Sequence, residues 1–249
     1  IGMSTLADRF RLLDSLRTSK LERSRYCSSV SIPSLLPPEG WNEQSQLSQP
    51  YSSVTARGVT SMASRMLSAL LPLNDTPFFR FELSSGVQAE YAIDSYLNNL
   101  SYQVFNKLSS GNLRETIYQA LQHLIVLGDV MVIMEDDMRL RIIRIDRFVV
   151  RRDVYGDIEE VIYKEYETID DNSKDDYDIL TTSSLDMDSR KGYKPLYTKL
   201  HKNGDVWSSV TEDMEGNVIT SGEFTVPNFI VLRWSGIPGE NYGRSHCED

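Results

Sequence analysis

Cysteine is almost missing from this chain: of 249 residues, only Cys27 and Cys247 carry thiols. Two thiols this far apart, with no partners at metal-ligand spacing, exclude a disulfide framework and a cysteine-rich zinc site, so reduced thiols are expected. Histidine is equally scarce. His123, His201 and His246 share no ligand spacing, and the adjacent His246 and Cys247 do not by themselves complete a tetrahedral metal site. Long apolar runs are lacking as well. None approaches the ~18–20 residues that a membrane-spanning helix needs, and no charged start with a short apolar core marks secretion, so assembly in the cytoplasm and no membrane partner are expected.

Catalytic grammar is also missing. The patterns G-x-x-x-x-G-K-[ST], G-x-S-x-G and H-E-x-x-H do not occur, and Gly236, Gly239 and Gly243 fit no nucleotide-binding fingerprint. No catalytic, cofactor-binding or metal-binding residue is assigned, and no cofactor is expected. The acidic cluster Glu135-Asp136-Asp137 is the one candidate for a hard cation, since a two-metal nuclease needs converging carboxylates. It falls at an expected hairpin tip, where acids are ordinarily solvated.

The charge that is present lies in one place. The chain carries a net charge of −10, and 18 acidic against 8 basic residues between Asp129 and Asp188 account for all of it. Residues 1–65 lean the other way, with 8 basic and 5 acidic. A protein that grips nucleic acid neutralises phosphates, so this balance disfavours tight DNA binding.

Apolar periodicity predicts an α+β chain, with a helical N-terminal half followed by a mainly antiparallel β region. Residues 4–26 read as one basic amphipathic helix capped by Ser4. Ser31 to Pro38 holds three prolines and reads as an extended strap with its apolar side chains packed down. Ala56, Val59, Met62, Ala63, Met66, Leu67 and Leu70 recur at helical spacing and predict a buried helix that Pro72 stops. Phe78 to Leu83 suggests a short strand. A long helix is expected to open at Ser84-Ser85-Gly86. Another runs from Asn112, with Glu115 completing a capping box, to a stop at Gly128. His123 lies near its buried face, where a lone histidine is a packing residue.

From Val130 the period shifts toward two. Strands are expected at Val130–Met134, Leu140–Ile145, Phe148–Val154 and Ile158–Glu167, with a meander as the simplest arrangement. Residues 170–192 read as an acidic, mobile insertion. Strands return at Tyr193–His201 and Val206–Glu212 around Asn203-Gly204, a turn follows at Glu215-Gly216-Asn217, and Phe229–Trp234 forms a last strand.

Several of these blocks resemble one family. Ile32-Pro33-Ser34-Leu35, then Ala56-Arg57-Gly58 leading to Leu70-Leu71-Pro72, then the Leu113 to Gly128 helix, Arg151-Arg152-Asp153 to Gly156-Asp157, and Asn241-Tyr242-Gly243-Arg244-Ser245 are similar in order and spacing to the portal, or head-to-tail connector, proteins of short-tailed bacteriophages. The resemblance implies structural motif roles for Ile32, Pro33, Ser34, Leu35, Ala56, Arg57, Gly58, Pro72, Tyr242, Gly243, Arg244 and Ser245. It divides the chain into the helical part of a wing (1–128), a β-rich part (129–240) and the start of a stem helix (241–249), with stem, clip and crown beyond it.

The resemblance also implies a homo-oligomeric ring of roughly twelve copies at one capsid vertex of the virion, built from heterologous contacts. The implied partners are the terminase motor, a tail adaptor, the major capsid and scaffolding proteins, and double-stranded DNA that passes through without tight binding. Arg17, Lys20 and Arg23 are expected to meet the acidic middle of a neighbour. Two rivals stay open from the residues alone: a non-enzymatic binding or structural module, and a metal-dependent nuclease using the acidic cluster.

Overall fold

The computed structural model describes residues 5–38, 46–47, 49–72, 76–83, 91–168, 179–180 and 193–248. Helices come first and strands after, so the chain is α+β. The expected single N-terminal helix is two, α1 (Leu6–Ser15) and α2 (Thr18–Val30). They part at Arg17, which leaves helical geometry (φ −111°, ψ 13°) while its buried guanidinium donates to the Ile145 carbonyl in the core. Ser4 lies outside the described residues. Thr5 caps α1 instead, accepting the Asp8 N–H at 3.2 Å.

The strap after α2 is docked as expected, but it folds into a turn rather than running extended, closed by Leu35 N–H to the Ile32 carbonyl at 3.1 Å. Leu36 is driven into the core, with its N–H held by Ser28 Oγ at 3.1 Å. Helix α3 (Val54–Leu70) forms at the expected place, yet only Val59 and Ala63 of its 17 residues are buried. The expectation of a buried helix is therefore corrected: one narrow stripe rests on α5 and the rest faces out. Residues 78–83 form no strand. Phe78, Phe79 and Phe81 stack edge to face instead, with centroids 5.1 and 5.5 Å apart, and the Phe81 N–H binds Ser101 Oγ on α4 (Tyr91–Ser109). The expected start of that helix at 84–86 lies outside the described residues.

Helix α5 (Leu113–Leu127) ends at Gly128 in the left-handed region, φ 85°. Its capping box does not form, because Asn112 binds the Leu140 carbonyl (2.7 Å) and N–H (3.0 Å) and so ties the helix start to a strand. The strands are β1 (Asp129–Met134), β2 (Leu140–Ile143), β3 (Phe148–Arg152), β4 (Ile158–Thr168), β5 (Ile179–Leu180), β6 (Tyr193–Asn203), β7 (Val206–Glu212), β8 (Val218–Phe224), β9 (Phe229–Arg233), β10 (Ser235–Gly236) and β11 (Gly243–Arg244). A 3-10 turn at Ile145–Arg147 separates β2 from β3.

One meander does not hold them all. β1 pairs with β2 and β9 in one sheet, while β3-β4-β6-β7-β8 form another, with β5 on β4. β1 is nearly all buried, so its continuous apolar run does not say which strand lies beside it. β8, which the apolar pattern did not predict, is exposed along most of its length. The insertion at 170–192 lies outside the described residues apart from β5. Both halves share one core, in which Leu36, Ala63, Ile125, Met131, Phe148 and Trp207 are buried. Trp207 on β7 meets Phe229 on β9 edge to face at 5.0 Å, joining the two sheets. No described helix is long and apolar enough to cross a membrane.

Candidate functional site

The left-handed turn at Gly128 reverses the chain from α5 into β1 and leaves polar groups inside the fold that need partners. The segment 241–248 supplies several of them. Asp129 Oδ1 accepts the Gly243 N–H at 2.8 Å, and the Ile125 carbonyl accepts the Cys247 N–H at 3.3 Å. The Gly128 carbonyl takes the Trp234 N–H at 2.8 Å. β11 pairs with β10, so residues 243–244 form a short strand, and a turn rather than a helix follows at 246–248.

Lys20 of α2 sits at the centre. Its Nζ donates to the carbonyls of Leu127 (2.8 Å) and Gly243 (2.6 Å), and to Glu248 Oε1 at 3.1 Å, and lies 3.5 Å from Asp129 Oδ2. Two carboxylates thus share one buried cation. Burial raises the Asp129 carboxyl to about 6 although Lys20 and the Gly243 N–H oppose it. Burial pushes Glu248 up too, but Lys20, nearer to it, outweighs that and leaves its carboxyl below the usual range.

The flanking residues extend the clamp. Asn241 accepts the Arg152 N–H at 2.8 Å on its side chain and Arg152 Nε at 3.1 Å on its carbonyl. The Tyr242 hydroxyl accepts the Val150 N–H at 3.1 Å, and Arg17 lies over its ring at 5.5 Å. Ser245 is buried and its hydroxyl points to the Cys27 thiol at 3.9 Å. Space is tight: a Cβ on Gly128 would lie 2.8 Å from both the Arg244 carbonyl carbon and the Ser245 nitrogen. Chemically the site holds rather than reacts. It fixes segment 241–248 to α2, to the α5–β1 junction and to β3.

Of the residues singled out by the family blocks, Tyr242, Gly243, Arg244 and Ser245 converge here. Ile32 and Leu35 pack against the core from the turn after α2, with Pro33 and Ser34 beside them. Ala56, Arg57 and Gly58 lie near the start of α3, where Arg57 and Gly58 face outward, and Pro72 is exposed just beyond that helix. Lys20, Asp129 and Glu248 were not foreseen as a group. The one local cue was Asp129 itself, an acid set directly behind a helix-ending glycine and ahead of an apolar strand.

The expected meeting of Arg17, Lys20 and Arg23 with a neighbour's acidic region is corrected. Arg17 pairs with Asp14 at 2.7 Å, Lys20 is enclosed in the clamp, and Arg23 reaches Glu248 at 3.3 Å. In the described part of the acidic region, Glu160 binds Arg9 at 2.9 Å and Lys199 at 3.3 Å. In the Glu135-Asp136-Asp137 tip, Glu135 pairs with Arg141 at 2.6 Å and Asp137 with Arg139 at 3.1 Å. Among the described residues no group of three metal-ligating side chains converges. His123 is buried on the inner face of α5, and burial, with Arg144 adding to it, pulls its pKa down to about 4.

Residues 3–249 match the family described as bacteriophage head to tail connecting protein. The portal protein of Enterobacteria phage T3 is 26% identical over 254 residues, covering 91% of this chain and 45% of the relative. That of Escherichia phage T7 is 24% identical, with the same coverage of each. The portal protein of Pseudomonas phage phiKMV is 24% identical, covering 96% of this chain and 49% of its own length. The chain thus spans about half the length of the curated relatives it matches. With the match running from Met3 through the clamped C-terminal segment, the chain belongs to the bacteriophage head to tail connecting protein family.

Proposed function

We propose that this chain is the wing-like part of a portal subunit, one of roughly twelve that close into a ring at a single capsid vertex. Residues 1–128 and 129–240 form the helical and β-rich parts of that wing, and the clamped segment 241–248 is the base from which the DNA-lining stem departs. The ring is a passive conduit for DNA packaging and ejection and a docking platform for the terminase and the tail adaptor. The energy for DNA movement comes from the partner ATPase. Capsid and scaffolding proteins meet the ring during assembly in the host cytoplasm, and it remains in the virion.

The observation that carries this reading, beside the family match, is how little of α4 is covered by its own chain. Of the 19 residues of α4 only Ser101 is buried, although Ile93, Leu97, Leu100, Val104 and Leu108 repeat at helical spacing. A helix patterned to bury a face that its own fold leaves open is suited to contacts made in an assembly. An acidic wing also fits DNA that must move, because a surface that released many counterions would hold the polymer. Electron microscopy of the full-length protein tests the reading. Rings with a central channel are expected, and monomers at every concentration sampled overturn it.

A further inference from the structure

Two faces of the chain are bare, and they differ in character. The first belongs to α3, α4 and the aromatic segment between them. Val54 and Leu70 on α3 are 72% and 55% exposed, and Tyr91 and Tyr96 on α4 are 90% and 67% exposed. Leu71 and Pro72 just after α3, Phe78 and Phe105 of α4 line a shared cleft of about 360 Å³, which joins the end of that helix to α4. The two helices carry a positive balance, while the segment between them adds Arg80 against Asp75, Glu82 and Glu90. On the two helices Arg57, Arg65 and Lys107 stand against Asp94 alone, and none of the three cations makes an ion pair among the described residues. Arg57 and Arg65 lie two turns apart, about 12 Å along the axis.

The second face is β8, the last strand of the larger sheet, with the loop that follows it. Val218 and Ile219 are exposed, and Val226 beyond the strand is 77% exposed. One side of β8 pairs with β7, and no described strand pairs with the other. Proteins usually guard such an edge with lysine or proline, because its free N–H and C=O groups invite another chain. Here there is neither in the strand, and from residue 203 to 232 the chain has five acidic residues and no lysine or arginine. Glu212 is spent on the Leu6 N–H at 3.0 Å, and Asp213 on the turn that precedes β8. Asp205, Glu215 and Glu223 remain at the rim, with no ion pair among the described residues.

We infer that the basic, aromatic α3–α4 face of one subunit docks on the acidic, aliphatic β8 edge of a second copy of this chain. Within a subunit α3 and α4 pack on α5, whereas β8 packs on β7, so the two faces belong to different parts of the fold. Opposite charge over apolar surface gives the contact a direction, and a directional contact between unlike faces propagates head to tail and closes into a ring. The inference rests on the ring reading above and adds which surfaces meet.

Charge exchange in the full-length protein tests it, with ring fraction read by native mass measurement and folding by circular dichroism. Arg57→Glu with Arg65→Glu is expected to lower ring yield at least severalfold, as is Glu215→Lys with Glu223→Lys. These positions are exposed, so the fold should persist. In a mixture every contact between unlike variants pairs opposite charges, so rings that alternate the two variants are expected to recover. Rings that form equally in all variants overturn the inference and leave the ring reading intact. Loss in each variant without recovery on mixing overturns the pairing. A wild-type protein that never forms rings overturns both.

Discussion

Lys20 Nζ and Asp129 Oδ2 lie 3.5 Å apart, on side chains 6% and 0% exposed, and join α2 to the start of β1. Removing the cation leaves the buried Asp129 carboxylate without a countercharge and takes a donor from the Leu127 and Gly243 carbonyls. Lys20→Met should therefore cost about 3–5 kcal/mol in urea denaturation. Asp129→Asn keeps an acceptor for the Gly243 N–H and leaves Lys20 with Glu248, so about 1–2 kcal/mol is expected. Equal losses for the two variants would contradict this division of roles.

The same carboxyl carries a pH signature. Its pKa is raised by burial from 3.8 to about 6, so the folded state holds the proton more tightly than the unfolded chain. The stability it contributes is fully present below pH 3.8 and is lost as pH rises through 6, on the order of 3 kcal/mol. His123 acts in the opposite sense: its pKa falls from 6.5 to about 4, so its stability is present above pH 6.5 and lost as pH falls toward 4. Between pH 4 and 7, wild type should lose ground against Asp129→Asn and gain it against His123→Gln. A flat difference in either comparison would show that the group titrates normally.

Two glycines should respond to alanine in opposite directions. Gly128 holds φ 85°, and a Cβ there meets backbone at 2.8 Å. Gly128→Ala should lose roughly 1–3 kcal/mol from the backbone conformation alone, with more from the clash. Gly58 sits in α3 with nothing within 4 Å of an added Cβ, so Gly58→Ala should gain about 0.5–1 kcal/mol by helix propensity. Thermal unfolding of the two variants side by side is the check.

Trp207 and Phe229 tie the sheets together at the core. Trp207→Ala removes a side chain only 8% exposed and its edge-to-face contact. A loss of about 3–5 kcal/mol is expected. Near-ultraviolet circular dichroism should report loosened packing, and a loss below about 1 kcal/mol would mean that the sheets are joined elsewhere.

Much of the local structure was legible because it depends on neighbours in sequence. The stop at Gly128 follows from φ/ψ preferences and falls where the sequence places it, and the hairpin signalled by Asn203-Gly204 forms one residue on, with Gly204-Asp205 as its loop. The stripe of α3 was read correctly as a helix and wrongly as a buried one, since periodicity marks an apolar face without saying what covers it. The Asn112 capping box failed for a related reason: a tertiary partner, Leu140, took the side chain.

The sequence by itself determined the α+β class, the positions of most helices and strands, the lack of catalytic patterns and the family blocks, because these reside in short-range spacing and in residue identity. Only the tertiary structure decided that the strands divide into two sheets and that Lys20, Asp129 and Glu248 share one buried site. It also turned Arg17 and Lys20, expected at a subunit boundary, inward. Apolar strands choose neighbours by burial, and distant charges must pair where the fold desolvates them, so both outcomes are set by the folded surroundings.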